Sequence, residues 1–180
     1  AIGMARMGDA AESLSLLGRA LRLLPEVNDL PGEQCIWWNN AGAAYHALGR
    51  LHDAVDAAVR AIGLLHGFGE PNLRAVCHGN LLIYRLERAL ARDASLHNCE
   101  LLQALESIQA HIEALIADER HHFVPESVNA AADAMIALGR VDEAREWLRR
   151  GVKSAQVTGA GPELGLLEWR LARVDRLTGL

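Results

Sequence analysis

Two stretches decide the fold: LGRLHDAVDAAVRAI at 48–62 and LGRVDEAREWLRRGV at 138–152. They align without a gap, 90 residues apart. MGDAAESLSLLGRAL at 7–21 is a third copy, 41 residues before the first of these. LARDASLHNCELLQAL at 90–105 is a weaker fourth, with Ala91 in place of the glycine and a longer helix after it. Self-similarity at this spacing marks units that bury their apolar faces only by stacking on one another.

Outward from these stretches, each unit reads as helix, tight turn, helix. In the strongest copy Trp38, Gly42, Tyr45, Gly49, Ala54 and Ala61 fall at offsets 4, 8, 11, 15, 20 and 27. Gly42 and Ala54 are small enough to let two helices approach closely, and Tyr45 is expected to fill the space between them. Gly49 sits where a left-handed residue ends a helix at little cost. Pro25, at offset 32 of the first copy, stops its second helix. The expected helices are 1–7 (cut at its start), 9–24, 33–48, 51–66, 71–91, 95–118, 126–138, 141–156 and 162–177. Gly67-Phe68-Gly69-Glu70-Pro71 and Gly159-Ala160-Gly161-Pro162 separate the units, with Pro71 and Pro162 placed to start helices.

Composition agrees with an all-α chain. Hydrophobic residues make up 51% of 180, aromatics only 4%, and Ala and Leu, which lose least on entering helices, dominate. The net charge is −5 with no basic block, and Lys153 is the only lysine, so no nucleic-acid partner held through phosphates is expected. Cys35, Cys77 and Cys99 are odd in number and widely spaced, which suggests buried free thiols in a reducing cytoplasm. No stretch approaches the roughly 20 apolar residues of a membrane span, and no signal peptide opens the sequence.

Catalytic and metal chemistry finds little support. The eight histidines form no HExxH, and the adjacent pair His121-His122 precedes a helix with its rings pointing apart, so no metal site is expected. No GxSxG, phosphate-binding glycine loop or Cys-His signature occurs. This stretch is therefore read as non-catalytic and free of cofactors.

The offsets listed above resemble the tetratricopeptide repeat in an elongated version, with a period near 41. The resemblance covers about residues 1–160, as hairpins near 1–25, 33–66, 71–118 and 125–157. It implies a right-handed α-α superhelix whose concave groove, lined by first-helix positions 2, 5, 9 and 12, holds a protein or peptide. Those positions are Ile36, Asn39, Ala43 and His46 in one copy, and Glu126, Asn129, Asp133 and Ile136 in another. Asparagine at position 5 in both copies offers an amide that can donate to and accept from a peptide backbone. Asn80 lies one position off this register in the weak copy. The basic residues with which chaperone-binding members clamp a carboxylate terminus are absent from these eight positions. Trp38, Trp147 and Trp169 are read as packing residues. Trp37, turned about 100° from Trp38, is the further groove or partner candidate. A homodimer is compatible with the same surfaces.

Residues 161–180 are read as a connecting helix. Its end, LARVDRLTGL, resembles the LAxxDxLTGL with which GGDEF domains of diguanylate cyclases begin, matching at Asp175, Leu177, Thr178, Gly179 and Leu180. The resemblance implies a sensor or interaction module of an enzyme that makes cyclic di-GMP. Its GTP and Mg²⁺ would be bound by a domain beyond Leu180. Alternatively Gly179 is one more repeat turn, in a plain adaptor or in the repeat region of a transcriptional regulator. Asp175 then stands at offset 11, where the other copies have Tyr45, Met135 or Met4, and a bare charge between packed helices is costly.

Overall fold

Small residues at the helix contacts set the architecture. A computed structural model describes residues 12, 15, 16, 18, 19, 31–65, 70–95 and 97–177. Among them there is no strand, and seven α-helices follow one another: α1 (Pro31–Ala47), α2 (Leu51–Leu64), α3 (Pro71–Arg92), α4 (Cys99–Ala117), α5 (Val124–Ala137), α6 (Val141–Thr158) and α7 (Gly161–Leu177). A 3₁₀ turn, His121–Phe123, leads into α5. The expected helix 1–7 lies outside the described residues. Of the expected helix 9–24, only five residues are described, all helical.

Two compact units are distinguished, Ala1–Tyr84 and Arg85–Leu180, and the division falls inside α3. In the first, α1 packs along α2. Ala41, Ala44 and Ala57 form the contact, and Trp37, Trp38 and Tyr45 pack around it. Gly42 is needed there: a Cβ on it would stand 3.4 Å from the Ala54 carbonyl oxygen and 3.2 Å from the Tyr84 ring. Cys35 of α1 and Cys77 of α3 meet in a second cluster with Ala61 and Leu65, their sulfurs 3.7 Å apart.

In the second unit α4, α5, α6 and α7 pack in sequence order. The buried face of α4 is an apolar stripe, Leu101, Leu105, Ile108, Ile112 and Leu115, at helical spacing. Helix α5 is buried on most sides, and it tolerates this because Ala130, Ala131, Ala132 and Ala134 take little room. Gly151 of α6 is wedged between neighbours. A Cβ there would lie 2.9 Å from Val128 of α5 and 3.2 Å from Leu167 of α7.

Four helix ends share one stop. After α1, α5 and α6 the chain turns through Gly49, Gly139 and Gly159 at φ 70°, 74° and 67°. At each, two backbone N–H groups return to the last turn; Gly49 donates to His46 and Arg50 to Tyr45. At the end of α4 the same bonds form around Glu119, the one non-glycine described at positive φ (58°). The start of α4 lies later than expected, at Cys99 rather than 95. Asn98 causes the delay: its carboxamide accepts from the Leu101 N–H at 3.1 Å while donating to the carbonyls of Ala89 and Asp93.

Candidate functional site

Helices α5 and α7 both pack against α6, and between them they leave a cleft of about 140 Å³. Ala132, Leu148 and Val174, all buried, form its floor, with Ile136 beside them. Asp133 faces it from α5, and Trp169, Arg170 and Arg173 face it from α7. Helix periodicity brings Trp169 and Arg173 to the cleft together, on a stripe that Leu166 precedes and Arg176 continues outside the lining, at spacings of three and four. All four are exposed, Trp169 by 53%.

The arginines of this part of α7 differ in what they hold. Arg170 Nη1 donates to Asp133 Oδ1 at 2.6 Å and to the Asn129 carbonyl at 3.3 Å, which ties α7 to α5. Arg173 lies over the Trp169 ring at 5.7 Å, and Arg176 Nε donates to the Ala172 carbonyl. Among the described residues neither Arg173 nor Arg176 forms an ion pair with a carboxylate. The cleft thus joins a buried apolar floor to an aromatic and cationic rim, a combination suited to binding. Among the described residues no three His, Cys, Asp or Glu side chains gather as a metal site would need.

Of the α5 positions singled out above, Asp133 and Ile136 line the cleft. Glu126 is exposed outside its lining, and the Asn129 side-chain oxygen is buried without a protein partner. The α1 positions lie in the first unit. Asn39 accepts from the Asn80 amide at 2.9 Å, and His46 stacks on Tyr84 with ring centres 4.8 Å apart. Ile36 is exposed, and Ala43 is partly buried. Trp37 meets Trp38 edge-on at 4.7 Å, and its indole nitrogen is buried. The Asn39 side-chain oxygen is therefore engaged within the first unit, and that of Asn129 is covered.

No protein-family model matches the chain, and no curated protein is similar to it.

The junction segment has its own geometry. Asp175 is held by Arg145 of α6, whose Nε donates to Oδ1 at 2.9 Å, while Nη1 of the same guanidinium donates to Asp142. The Arg145 side chain is only 10% exposed. A charge at offset 11 is thus met by an opposite charge at offset 21, where the earlier hairpin has buried Val55. Leu177 ends α7, and Thr178, Gly179 and Leu180 lie outside the described residues.

Sequence reasoning had a usable signal for the missed wall. With Gly179 at offset 15, positions 2, 5, 9 and 12 fall on Leu166, Trp169, Arg173 and Arg176. The same register places Asp175 at offset 11, and counting back from it reaches these four positions.

Proposed function

We propose that the chain is a non-catalytic interaction module, a tetratricopeptide-like superhelix that holds an extended protein segment in the cleft between α5 and α7. The single observation carrying this reading is the cleft's composition: a buried aliphatic floor beneath an exposed tryptophan and Arg173, which meets no carboxylate among the described residues. Apolar anchors set among a few convergent polar groups are how such grooves gain affinity and specificity. A photo-activated crosslinking residue placed at 136 or 173 tests it in cells. Both positions should join the same short segment of one partner, while position 153 on α6 should not. Equal labelling from all three would sink the groove.

The narrower proposal is that this module regulates a diguanylate cyclase, and it rests on the DRLTGL match at 175–180. Assay of the full gene product with GTP and Mg²⁺ tests it by the appearance of cyclic di-GMP. A gene product without cyclase activity would instead favour the adaptor reading. That second reading has an observation of its own. Paired with Arg145, Asp175 is at home in a helical repeat, so its charge no longer counts against another repeat turn.

A further inference from the structure

We propose that the α5–α7 cleft takes an acidic segment carrying one aliphatic side chain, a proposal that rests on reading the cleft as a binding groove. Charge decides the class of partner. In a chain with net charge −5, the rim of this cleft is locally cationic. Asp133 is answered by Arg170 and Asp175 by Arg145, which leaves Arg173 as the rim charge with no carboxylate partner among the described residues; Arg176 lies further along the same stripe, outside the lining. Glu168, adjacent to Trp169 in sequence, is about 100° away around the helix. A carboxylate arriving beside Arg173 gains a planar, two-pronged donor that already lies over an indole. A basic segment would meet the same guanidinium groups and be repelled.

Shape decides the anchor. The cleft volume of about 140 Å³ suits one aliphatic side chain, resting on Leu148 and Val174 with the Trp169 ring alongside. Trp169 and Arg173 are four residues apart, one turn of α7, so the ligand's anchor and its nearest acid need only one or two residues between them when extended. The recognised element is accordingly short, with an aliphatic residue closely followed or preceded by Asp or Glu.

The test uses the full chain and three dye-labelled, end-capped octapeptides, each with a single central Leu. One has Asp and Glu flanks, one Asn and Gln, one Lys and Arg. Anisotropy should show binding of the acidic peptide and at least about tenfold weaker binding of the others. Affinity for the acidic peptide should fall by a similar factor in Arg173→Glu, in Trp169→Ala and when the Leu is replaced by Ala, and should decline with added salt. Lys153→Glu, the same charge change on exposed α6 surface, should leave it unaltered. If neutral and acidic peptides bind alike and both depend on Trp169, the charge assignment is wrong and the groove stands. No binding by any peptide at millimolar concentration overturns the groove as well. Preferential binding of a single-stranded oligonucleotide would overturn the assignment of a protein partner.

Discussion

Gly151 and Glu119 mark opposite errors of fit. At Gly151 a methyl group would be driven into the stiff, β-branched Val128. Gly151→Ala is expected to destabilise the second unit by about 1–2 kcal/mol, overpacking outweighing the better helix propensity of alanine. At Glu119 the side chain gains nothing from its left-handed backbone, which costs an ordinary residue about 1–2 kcal/mol. Glu119→Gly should therefore stabilise by about 1 kcal/mol, despite freeing the unfolded chain. Denaturant titrations of the two variants check both signs, and the same direction for both would contradict the packing described. Only part of this was legible beforehand. Gly49 and Gly139 announce their turns by standing after a helical run, whereas Glu119 looks like any surface acid. Its conformation follows from the carbonyls of Leu115 and Ile116, which need the same N–H partners that the glycine turns supply.

At the scale of elements, α7 is held to its neighbours by a mixture of apolar and ionic contacts. Leu167 and Val174 are buried, Arg170 reaches α5, and Asp175 reaches Arg145. Losing Asp175 removes one carboxylate from the largely buried Arg145, which keeps Asp142, and losing Arg145 removes a donor from the partly buried Asp175. Asp175→Ala and Arg145→Ala should each cost about 1 kcal/mol. Replacing both together, Arg145→Val with Asp175→Met, copies the residue types of the other hairpins and should restore stability to within about 1 kcal/mol of the parent. A simple sum of the single losses in the double variant would mean that the two side chains do not depend on each other. Helix existence was readable because the apolar period and the glycine punctuation coincide, as in α2, α5 and α6. The cleft was half readable: Asp133 and Ile136 follow from repeat position, but Arg145 and Arg170 read as solvated arginines. What they hold lies 30 and 37 residues away in the chain, a distance no local pattern reports.

For the molecule as a whole, a few buried groups set the pH range of the fold. Burial, with the Cys35 thiol beside it, pushes Cys77 up to about 12. The unfolded chain gives up that proton first, so the stabilisation is complete below the ordinary thiol range and lost as pH rises towards about 12. The slope from this one group is at most about 1.4 kcal/mol per pH unit. On the acid side, burial and then Arg74 push His78 below its ordinary value. The unfolded chain takes up that proton first, so stability declines as pH falls through about 6.5. Unfolding midpoints from pH 5 to 11 should give a plateau between about 7 and 9, with the alkaline decline flattened in Cys77→Ala. In the same neutral range a thiol reagent should modify exposed Cys99 at once, and Cys35 and Cys77 only as the chain opens. The expectation of three buried thiols thus holds for two of them. Cys99 departs because it opens α4 at the helix start, ahead of the buried stripe that begins at Leu101.

The pairing of Arg145 with Asp175 also bears on how similar hairpins tell one another apart. A chain made of near-copies risks docking a helix on the wrong twin. The surface of α2 shares with α6 a small residue at two aligned positions, Ala54 with Ala144 and Ala61 with Gly151, but it carries Val55 where α6 carries Arg145. Were α7 to settle on such a surface, Asp175 would meet an aliphatic wall and lose its counter-ion. One charged pair therefore makes the correct neighbour the better match for α7, as an address label would.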